Sequence, residues 1–264
     1  GAKPGAAMTA FLESVAFSEQ PAGDGEQPTP ATRARLERVR LLQTAGLDDL
    51  AAAEVRFGGD GEQSTLLAVE LARSGAPPHR KLRYLKGVRG DYLSLPLDRA
   101  PEAYWRGLFP LPYRAELERA ARRQKLDPLV LAGLIRQESE FNPRAVSSAR
   151  AYGLTQVLPS TGRQLARRLG IRRFTTSMLY QPEVNLRLGT FYMRLQLDRW
   201  NGELEKTLAA YNAGPRRVAE WSTWYEFREP AEFVETVPFT QTREYIQAVV
   251  RNAAVYRLVY AGKS

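Results

Sequence analysis

Apolar residues recur at helical spacing along most of the chain, and turn residues interrupt them at short intervals. Between Ala31 and about Gly90, apolar positions three and four apart predict four short amphipathic helices. Each is followed directly by a glycine, which ends helices well because it adopts the left-handed conformation at little cost. These helices are predicted at 33–45, 47–57, 62–74 and 79–86. The pattern indicates a small module of stacked helical hairpins.

The pattern changes after this module. Residues 89–112 carry four prolines and several aromatic residues, which predicts a linker. Longer helices are then predicted at 113–125, 128–139, 160–169, 182–200, 203–213, 215–224 and 240–260. Only 232–239 and part of 149–158 could be extended. The fold class is therefore predicted to be all-α, or nearly so, with a flexible lead-in at 1–30, the hairpin module and linker at 31–112, and a larger domain at 113–264.

The amino-acid composition excludes several kinds of catalytic site. The chain has no cysteine, which excludes disulfides, thiolate zinc sites and a cysteine nucleophile. Its one histidine, His79, stands at a predicted helix start, and neither a GxSxG elbow nor a phosphate-binding GxxxxGK[ST] loop is present. A metal site built on cysteine or histidine is therefore not predicted. Carboxylates, tyrosines, hydroxyls and amides remain as the candidate catalytic groups.

The formal charge of +9 favours a polyanionic partner, such as nucleic acid, an anionic membrane surface or an anionic cell-wall polymer. The basic residues follow helical segments such as 33–40, 119–125 and 163–173, which is also typical of solvated helix faces. No nucleic-acid recognition motif accompanies them. No apolar run approaches the roughly 18 to 20 residues of a membrane span, and the first residues lack the basic start and long apolar centre of a signal peptide.

One carboxylate stands out at the end of the predicted helix 128–139. Glu138 lies four residues after Leu134 and three after Ile135, so it continues the apolar stripe of that helix. Glu140 would point about 200° away and cannot pair with it. Burial of a lone carboxylate raises its pKa, which suits a general acid near neutral pH. The alternative is a structural glutamate satisfied by an arginine or by backbone amides.

Three later segments place polar side chains beside predicted helix ends. GLTQ ends in the amide of Gln156, before a helix predicted to be capped near Ser160. AAYNAGP puts Tyr211 on the last turn of its helix, and ETVPF brings Glu235 ahead of a helix that begins near Thr240. Taken singly, these residues fit a loop hydrogen bond, core packing and a surface acid. Their combination and order carry more information than any one of them.

The set resembles the catalytic domain of the soluble lytic transglycosylases of bacterial cell-wall metabolism, which are relatives of goose-type lysozyme. The matching segments are RQES and FNP around Glu138, then GLTQVLP, AYNAGP and ETVPFTQTREY, in the family's order across about residues 113–260. The resemblance implies a lysozyme-like α-helical catalytic domain at 113–264. The preceding helices are similar to the end of the family's α-superhelical region, most of which would lie outside this chain.

The resemblance also implies a role for each matching residue. Glu138 would be the single catalytic acid and base, Tyr211 would steady the reacting sugar, and Tyr245 would be the tyrosine of the closing TREY helix. The other positions it implies for the glycan cleft are Ser147, Gln156, Leu158, Asn212 and Glu235. Thr155 and Leu158 stand where the family usually has methionine, and both changes are expected to keep the pocket partly apolar.

The implied reaction is cleavage of the β-1,4 bond between N-acetylmuramic acid and N-acetylglucosamine, with a 1,6-anhydromuramoyl product and no cofactor. Ordinary glycosidases use two carboxylates, whereas the local sequence here offers one, which suits a substrate-assisted route. The implied partners are peptidoglycan glycan strands, with proteins of the cell-wall machinery as further candidates. The implied location is the bacterial cell envelope, in the periplasm.

Three other functions remain open from the sequence. A lysozyme- or chitinase-like hydrolase of the same fold would use the same acid, with water attacking in place of the sugar hydroxyl. A non-catalytic helical scaffold could bind glycan or a partner protein, with Glu138 in a structural role. A basic helical nucleic-acid binder would need a recognition motif that the sequence does not show.

Overall fold

The computed structural model describes residues 27–58, 61–88 and 90–260, so the predicted lead-in lies almost entirely outside the described residues. No strand occurs within these ranges, and the only extended pairing in them is a pair of isolated antiparallel bridges that join Tyr152 to Val146 and to Val157. The all-α prediction is confirmed, and the brief extension expected within 149–158 is limited to these bridges.

The described residues form thirteen α-helices. They are α1 (Pro30–Thr44), α2 (Asp48–Arg56), α3 (Gly61–Ala72), α4 (Pro78–Val88), α5 (Glu102–Leu108), α6 (Arg114–Gln124), α7 (Pro128–Ser139), α8 (Pro159–Arg168), α9 (Pro182–Arg199), α10 (Leu204–Ala213), α11 (Pro215–Trp221), α12 (Pro230–Thr236) and α13 (Thr240–Tyr260). Short 3-10 helices occupy Tyr92–Ser94, Leu97–Arg99 and Thr176–Tyr180.

These helices belong to two compact units. One unit contains residues 113–256, and the other contains the described residues up to Pro112 together with those from Arg257 onward. In the latter unit α1 packs against α2 and α3, while α3 and α4 pack against α5. Side chains such as Val39, Leu67 and Leu85 are fully buried there, because each lies on the apolar stripe of its helix.

The segment predicted as a linker is partly helical. It contains two of the 3-10 helices and α5, in which Tyr104, Trp105 and Leu108 are buried. The indole of Trp105 donates a hydrogen bond to the carbonyl oxygen of Leu97 at 3.0 Å. The helix α5 was not predicted, because the prolines obscured it; the aromatic residues between them pack into the core, while Pro101 precedes α5 without interrupting it.

Three further predictions differ from the structure. Helix α4 continues through Gly87, which was predicted to end it. The stretch 232–239, predicted as extended, is mostly α12, because Phe233 and Val234 bury their side chains from a helical turn. Helix α8 begins at Pro159 without a side-chain cap, so the predicted capping near Ser160 is wrong.

In the unit of residues 113–256, α9 is central and contacts α6, α8 and α10. Helices α7 and α13 approach each other at Gly133. A Cβ atom at this position would lie 2.8 Å from the carbonyl oxygen of Val249 and 3.0 Å from the amide nitrogen of Ala253. The buried Arg136 of α7 adds a hydrogen bond from Nη1 to Oδ1 of Asn252, at 3.0 Å. The two backbones are therefore held at a fixed separation, which positions the side chains farther along both helices.

Candidate active site

Glu138 occupies the last turn of α7, and its carboxyl group meets α13. The hydroxyl of Tyr245 donates a hydrogen bond to Oε1 of Glu138 at 2.6 Å. Among the described residues, neither an arginine nor a backbone amide bonds to this carboxyl group, and Oε2 has no hydrogen bond. Glu140 follows the helix end in the left-handed conformation, with φ of 51°, and so leaves the helix. The partner of Glu138 is thus a neutral donor that leaves one oxygen available.

Burial raises the pKa of Glu138 from 4.5 to about 7, and the hydrogen bond from Tyr245 opposes this rise because it favours the charged form. No second carboxylate of the described residues contributes to this shift. Burial also raises the pKa of Tyr211 and of Tyr245, and the nearby charge of Glu138 raises both further. Both tyrosines therefore keep their protons at neutral pH, where Glu138 exists in both protonation states.

Replacing Tyr245 by Phe is expected to extend activity to higher pH. Loss of the hydroxyl raises the pKa of Glu138 further, because the bond favours the carboxylate. The basic limb of the pH profile of kcat/KM should then move upward, while kcat at the optimum falls about tenfold because the carboxyl loses the contact that orients it. Tyr225→Phe, at an exposed side chain, is the control. A limb that stays in place or moves to lower pH would contradict this account.

Asn185 of α9 holds the GLTQ loop from beneath. Its Oδ1 accepts hydrogen bonds from the backbone nitrogen of Thr155 at 2.8 Å and from its hydroxyl at 2.7 Å. Its Nδ2 donates to the carbonyl oxygens of Tyr152 and Leu179, both at 2.8 Å. The carbonyl oxygen of Thr155 accepts from the hydroxyl of Tyr211 at 2.9 Å. A continuous set of hydrogen bonds therefore runs from α9 through the loop to Tyr211. The charge of Glu138 lies close enough to Tyr211 to raise its pKa.

Sequence reasoning missed Asn185 and assigned Thr155 incorrectly. Thr155 was expected to help keep the pocket apolar, but its side chain is fully buried and its hydroxyl bonds to Asn185. The one signal available was a polar amide on the inward face of the predicted helix 182–200, where a buried group needs partners. The partner loop lies 30 residues away in the sequence, so the pattern alone does not reveal the pairing.

Replacing Asn185 by Leu is expected to lower the free energy of unfolding by about 3 kcal/mol, because it leaves a buried amide N–H and two carbonyl groups without their partner. Thr155→Val removes only one hydroxyl from the same network and should lower it by about 1 kcal/mol. Urea unfolding of both variants measures the difference. Equal losses for the two variants would show that Asn185 does not organise the loop.

The structure gathers Gln156, Leu158 and Tyr211 around one recess of about 340 Å³. Gln156 is left-handed, with φ of 48°, and its Nε2 donates to the carbonyl oxygen of Gly153 at 2.8 Å. Tyr192 and Thr161 also line it, beside Val157 of the loop, and the rings of Tyr192 and Tyr211 lie 5.2 Å apart. The sequence did not indicate either of these two residues.

The other residues predicted for the glycan cleft do not line this recess. Asn212 shares a second recess, of about 810 Å³, with Tyr245, and its Oδ1 accepts from the hydroxyl of Thr242 at 2.8 Å. Glu235 is exposed and lies in a separate recess. The hydroxyl of Ser147 accepts from the backbone nitrogen of Ala151 at 3.0 Å, so it shapes its own loop. Glu235 and Ser147 are thus not in contact with the acid, whereas the tyrosines are grouped around it.

Two other features were sought in the described part of the chain. No group of three or more histidine, aspartate or glutamate side chains there could hold a metal ion. None of the helices there combines the length and the apolar character needed to cross a membrane.

The chain was compared with models of known protein families. Residues 116–234 match the family model described as the transglycosylase SLT domain. This stretch, somewhat less than half of the chain, is similar to transglycosylase SLT domains. Glu138, the GLTQ loop and AYNAGP lie inside the SLT domain match, and Glu235 and Tyr245 follow its end. The resemblance seen in the sequence is therefore confirmed.

Several proteins that are similar to this chain are named lytic murein transglycosylases. The soluble lytic murein transglycosylase of Escherichia coli K12 is 32% identical over 157 residues, which are 59% of this chain and 24% of that protein. The Salmonella typhimurium protein of the same name is 33% identical over 151 residues, 56% of this chain and 23% of that protein. The membrane-bound lytic murein transglycosylase C of Actinobacillus pleuropneumoniae is 35% identical over 115 residues, 40% of this chain and 32% of that protein.

Solved structures share the fold as well. An inactive glutamate-to-glutamine mutant of lytic transglycosylase Slt from Pseudomonas aeruginosa aligns with a TM-score of 0.66 and 26% identity, covering 96% of this chain and 43% of that one. A 70-kDa soluble lytic transglycosylase in complex with bulgecin A gives a TM-score of 0.66 and 25% identity, covering 94% and 39%. The chain spans about a quarter of the length of the first curated relatives and about two fifths of these solved chains.

Proposed function

We propose that this chain is a lytic transglycosylase that cleaves the β-1,4 bond between N-acetylmuramic acid and N-acetylglucosamine in peptidoglycan. The observation that carries the proposal is Glu138, whose pKa is raised to about 7 and whose Oε1 is held by Tyr245 while Oε2 has no hydrogen bond among the described residues. Residues 116–234 match the transglycosylase SLT domain, and similar proteins are named lytic murein transglycosylases, which supports peptidoglycan as the substrate.

The first step is proton donation. Protonated Glu138 transfers its proton to the glycosidic oxygen, and the bond from that oxygen to the muramoyl anomeric carbon breaks. The N-acetyl oxygen of the same muramoyl residue stabilises the positive charge that develops on this carbon. This assistance by the substrate suits a site in which no second carboxylate contributes to the pKa of Glu138, whereas common glycosidases use a pair.

The second step forms the anhydro ring. Glu138, now ionised, accepts the proton of the muramoyl 6-hydroxyl while that oxygen attacks the anomeric carbon. The product is a 1,6-anhydromuramoyl end, the acid regains its proton, and no water is consumed. Tyr245 supports both states of Glu138, because its hydroxyl can donate to the carboxylate and remains in place when Oε2 carries the proton.

The neighbouring side chains are proposed to hold the sugars. Tyr211, fixed by its bond to Thr155, would steady the reacting sugar, and Gln156 and Leu158 share its recess. Asn212 would bind sugar in the recess next to Tyr245. Ser147 is proposed to act through the shape of the loop that follows α7, and Glu235 to act at an outer, exposed position of the glycan strand.

The proposed substrate sets the proposed location and partners. Peptidoglycan lies in the bacterial cell envelope, and we place the chain there, in the periplasm. The relatives include proteins named as soluble and as membrane-bound, so this location does not depend on either form. Other proteins of the cell-wall machinery are proposed partners. The formal charge of +9 fits a polymer that carries carboxylates.

Mass spectrometry of the muropeptides released from purified sacculi tests the proposal. Products lighter by one water than their reducing-end counterparts are expected, because the 6-hydroxyl replaces water as the nucleophile. Reducing ends would replace the proposal with a lysozyme-like hydrolase. Binding to sacculi without any released product would replace it with a glycan-binding scaffold.

A further inference from the structure

A second recess adjoins the candidate acid, besides the one that contains Gln156. It has a volume of about 810 Å³ and is lined by residues of three helices, α7, α10 and α13. Tyr245, whose hydroxyl donates to Oε1 of Glu138, is one of these residues. Asn212 lines this recess, while the residue before it, Tyr211, lines the other one. The two recesses therefore adjoin each other near the end of α10, beside the acid.

The two recesses differ in charge. The described residues that line the recess of Gln156 are all uncharged. The second recess is lined by a carboxylate, that of Glu244, and by the guanidinium group of Arg251. Four amide side chains line it as well, those of Gln137, Asn212, Gln241 and Gln247. Because N-acetylated sugars are uncharged, the carboxylate and the guanidinium group match a charged substituent of the strand and not the sugars themselves.

Glu244 and Arg251 lie on one face of α13, with a gap between them. They are seven residues apart, which is about two helical turns or about 10.5 Å along the axis. Ala248 lies between them on the same face and also lines the recess, so only a methyl group fills the floor between the two charges. Both charged side chains are exposed, and neither forms an ion pair with another described residue. One ligand can therefore contact both at the same time.

We propose that Glu244 and Arg251 bind the peptide stem of the muramoyl residue whose glycosidic bond lies at Glu138. This inference rests on the proposed function. A peptide stem carries carboxylates and, where it contains a diamino acid, a side-chain amine, so one flexible chain offers both charges. Arg251 forms two parallel hydrogen bonds with a stem carboxylate, and Glu244 pairs with the amine.

The position of the recess favours this ligand over a separate charged molecule. The stem is attached to the sugar that reacts, and Tyr245 belongs both to the recess and to the contact with the acid. A stem therefore reaches Glu244 and Arg251 without a further partner. Bound in this way, it makes the site select strands that carry peptides over bare glycan.

Binding of soluble glycan strands tests this inference. The parent protein carries Glu138→Gln, so that the strands are not consumed, and the double variant adds Glu244→Gln/Arg251→Gln. We expect the double variant to bind stem-bearing strands about tenfold more weakly at low ionic strength. The difference should shrink at high salt, because exposed charges are then screened. It should vanish on strands whose stems have been removed by an amidase.

Single variants assign each charge to its own group on the stem. Acetylation of the stem amines should abolish the difference between Glu244→Gln and the parent, and should leave that of Arg251→Gln. Conversion of the stem carboxylates to amides should do the reverse. A difference that persists on stem-free strands would assign the recess to sugar or to the lactyl carboxylate and overturn the inference. Equal binding of the double variant and the parent to stem-bearing strands would also overturn it.

A matched control makes the same two chemical changes on α11, as Arg216→Gln/Glu220→Gln. Both side chains are exposed, belong to the same unit and line neither recess. The control leaves the net charge unchanged, as the double variant does, and should bind stem-bearing strands within about twofold of the parent. An equal loss in the two proteins would overturn the inference. Binding needs no turnover, so a failure of the proposed reaction would be recognised separately, by the product masses.

Discussion

Glu138→Gln is expected to lower the rate of muropeptide release by at least about a thousandfold, since the amide keeps the shape of the side chain but cannot donate or accept the reacting proton. Tyr245 can still donate its hydrogen bond to the amide oxygen, so the geometry of the site should persist. Chromatography of the products from purified sacculi measures the loss. Activity within tenfold of the parent protein would remove Glu138 from the reaction.

The control for this variant is Glu140→Gln, which makes the same chemical change two residues later, outside the helix. It should retain activity within about twofold, because Glu140 is not part of the proposed chemistry. A comparable loss in both variants would point to damage at the end of α7 and not to the loss of an acid.

The Glu138→Gln substitution should also stabilise the protein at alkaline pH. The pKa of Glu138 is higher in the folded state, about 7, than its ordinary value of 4.5, so the parent is most stable where the group is protonated and loses stability as the pH rises through about 7. Each unit of raised pKa corresponds to about 1.4 kcal/mol, and partial solvent access reduces the effect. At pH of about 8 the variant should therefore be about 2 kcal/mol more stable than the parent, and at pH of about 4 the gap should close.

Gly153→Ala is expected to lower the free energy of unfolding by about 4 kcal/mol and to disable the site. Gly153 has a φ of 75°, where an L-residue is strained by about 1 to 2 kcal/mol. A Cβ atom there would also overlap the carbonyl oxygen of Leu179 and the side-chain amide of Asn185. Overpacking of this kind adds about 1 to 3 kcal/mol. Urea unfolding measures the total loss.

Gly170→Ala separates these two contributions. Gly170 has a similar φ of 68°, but a Cβ atom there would have no neighbour within 4 Å. Its substitution should lower the free energy of unfolding by about 1 kcal/mol, from backbone strain alone. If the free energy of unfolding falls equally in both variants, the close approach at Gly153 does not contribute to the loss.

The sequence was sufficient where local chemistry decides the structure. Asp127 before Pro128 predicts the start of α7, and in the structure Oδ1 of Asp127 accepts a hydrogen bond from the backbone nitrogen of Leu129 at 2.8 Å. The helical spacing of Glu138 from Leu134 likewise predicts a carboxylate on the buried side. Both depend on residues within a few positions of one another, which is the range over which periodicity carries information.

The sequence was not sufficient where the partner is distant. Nothing near Tyr245 shows that its hydroxyl meets a carboxyl 107 positions earlier, although the family resemblance placed both in one cleft. The buried hydroxyl of Thr155 depends on Asn185 in the same way. The helix α5 was missed because the prolines on either side of it suggested a linker, whereas burial of Trp105 and Leu108 decides the outcome. In each case tertiary packing overrides a local signal.

The close approach of α7 and α13 at Gly133 has a consequence for the order in which the chain acquires function. The acid is on a helix near the middle of the chain, whereas Tyr245 belongs to the last described helix. While the chain is being synthesised, Glu138 therefore lacks that neighbour and remains accessible to water, so its pKa stays near the ordinary value and it is ionised at neutral pH. Burial in the folded unit raises this pKa, so the carboxyl holds a proton near neutral pH only in the folded state. An incompletely folded chain would thus lack the protonated form of this acid at neutral pH.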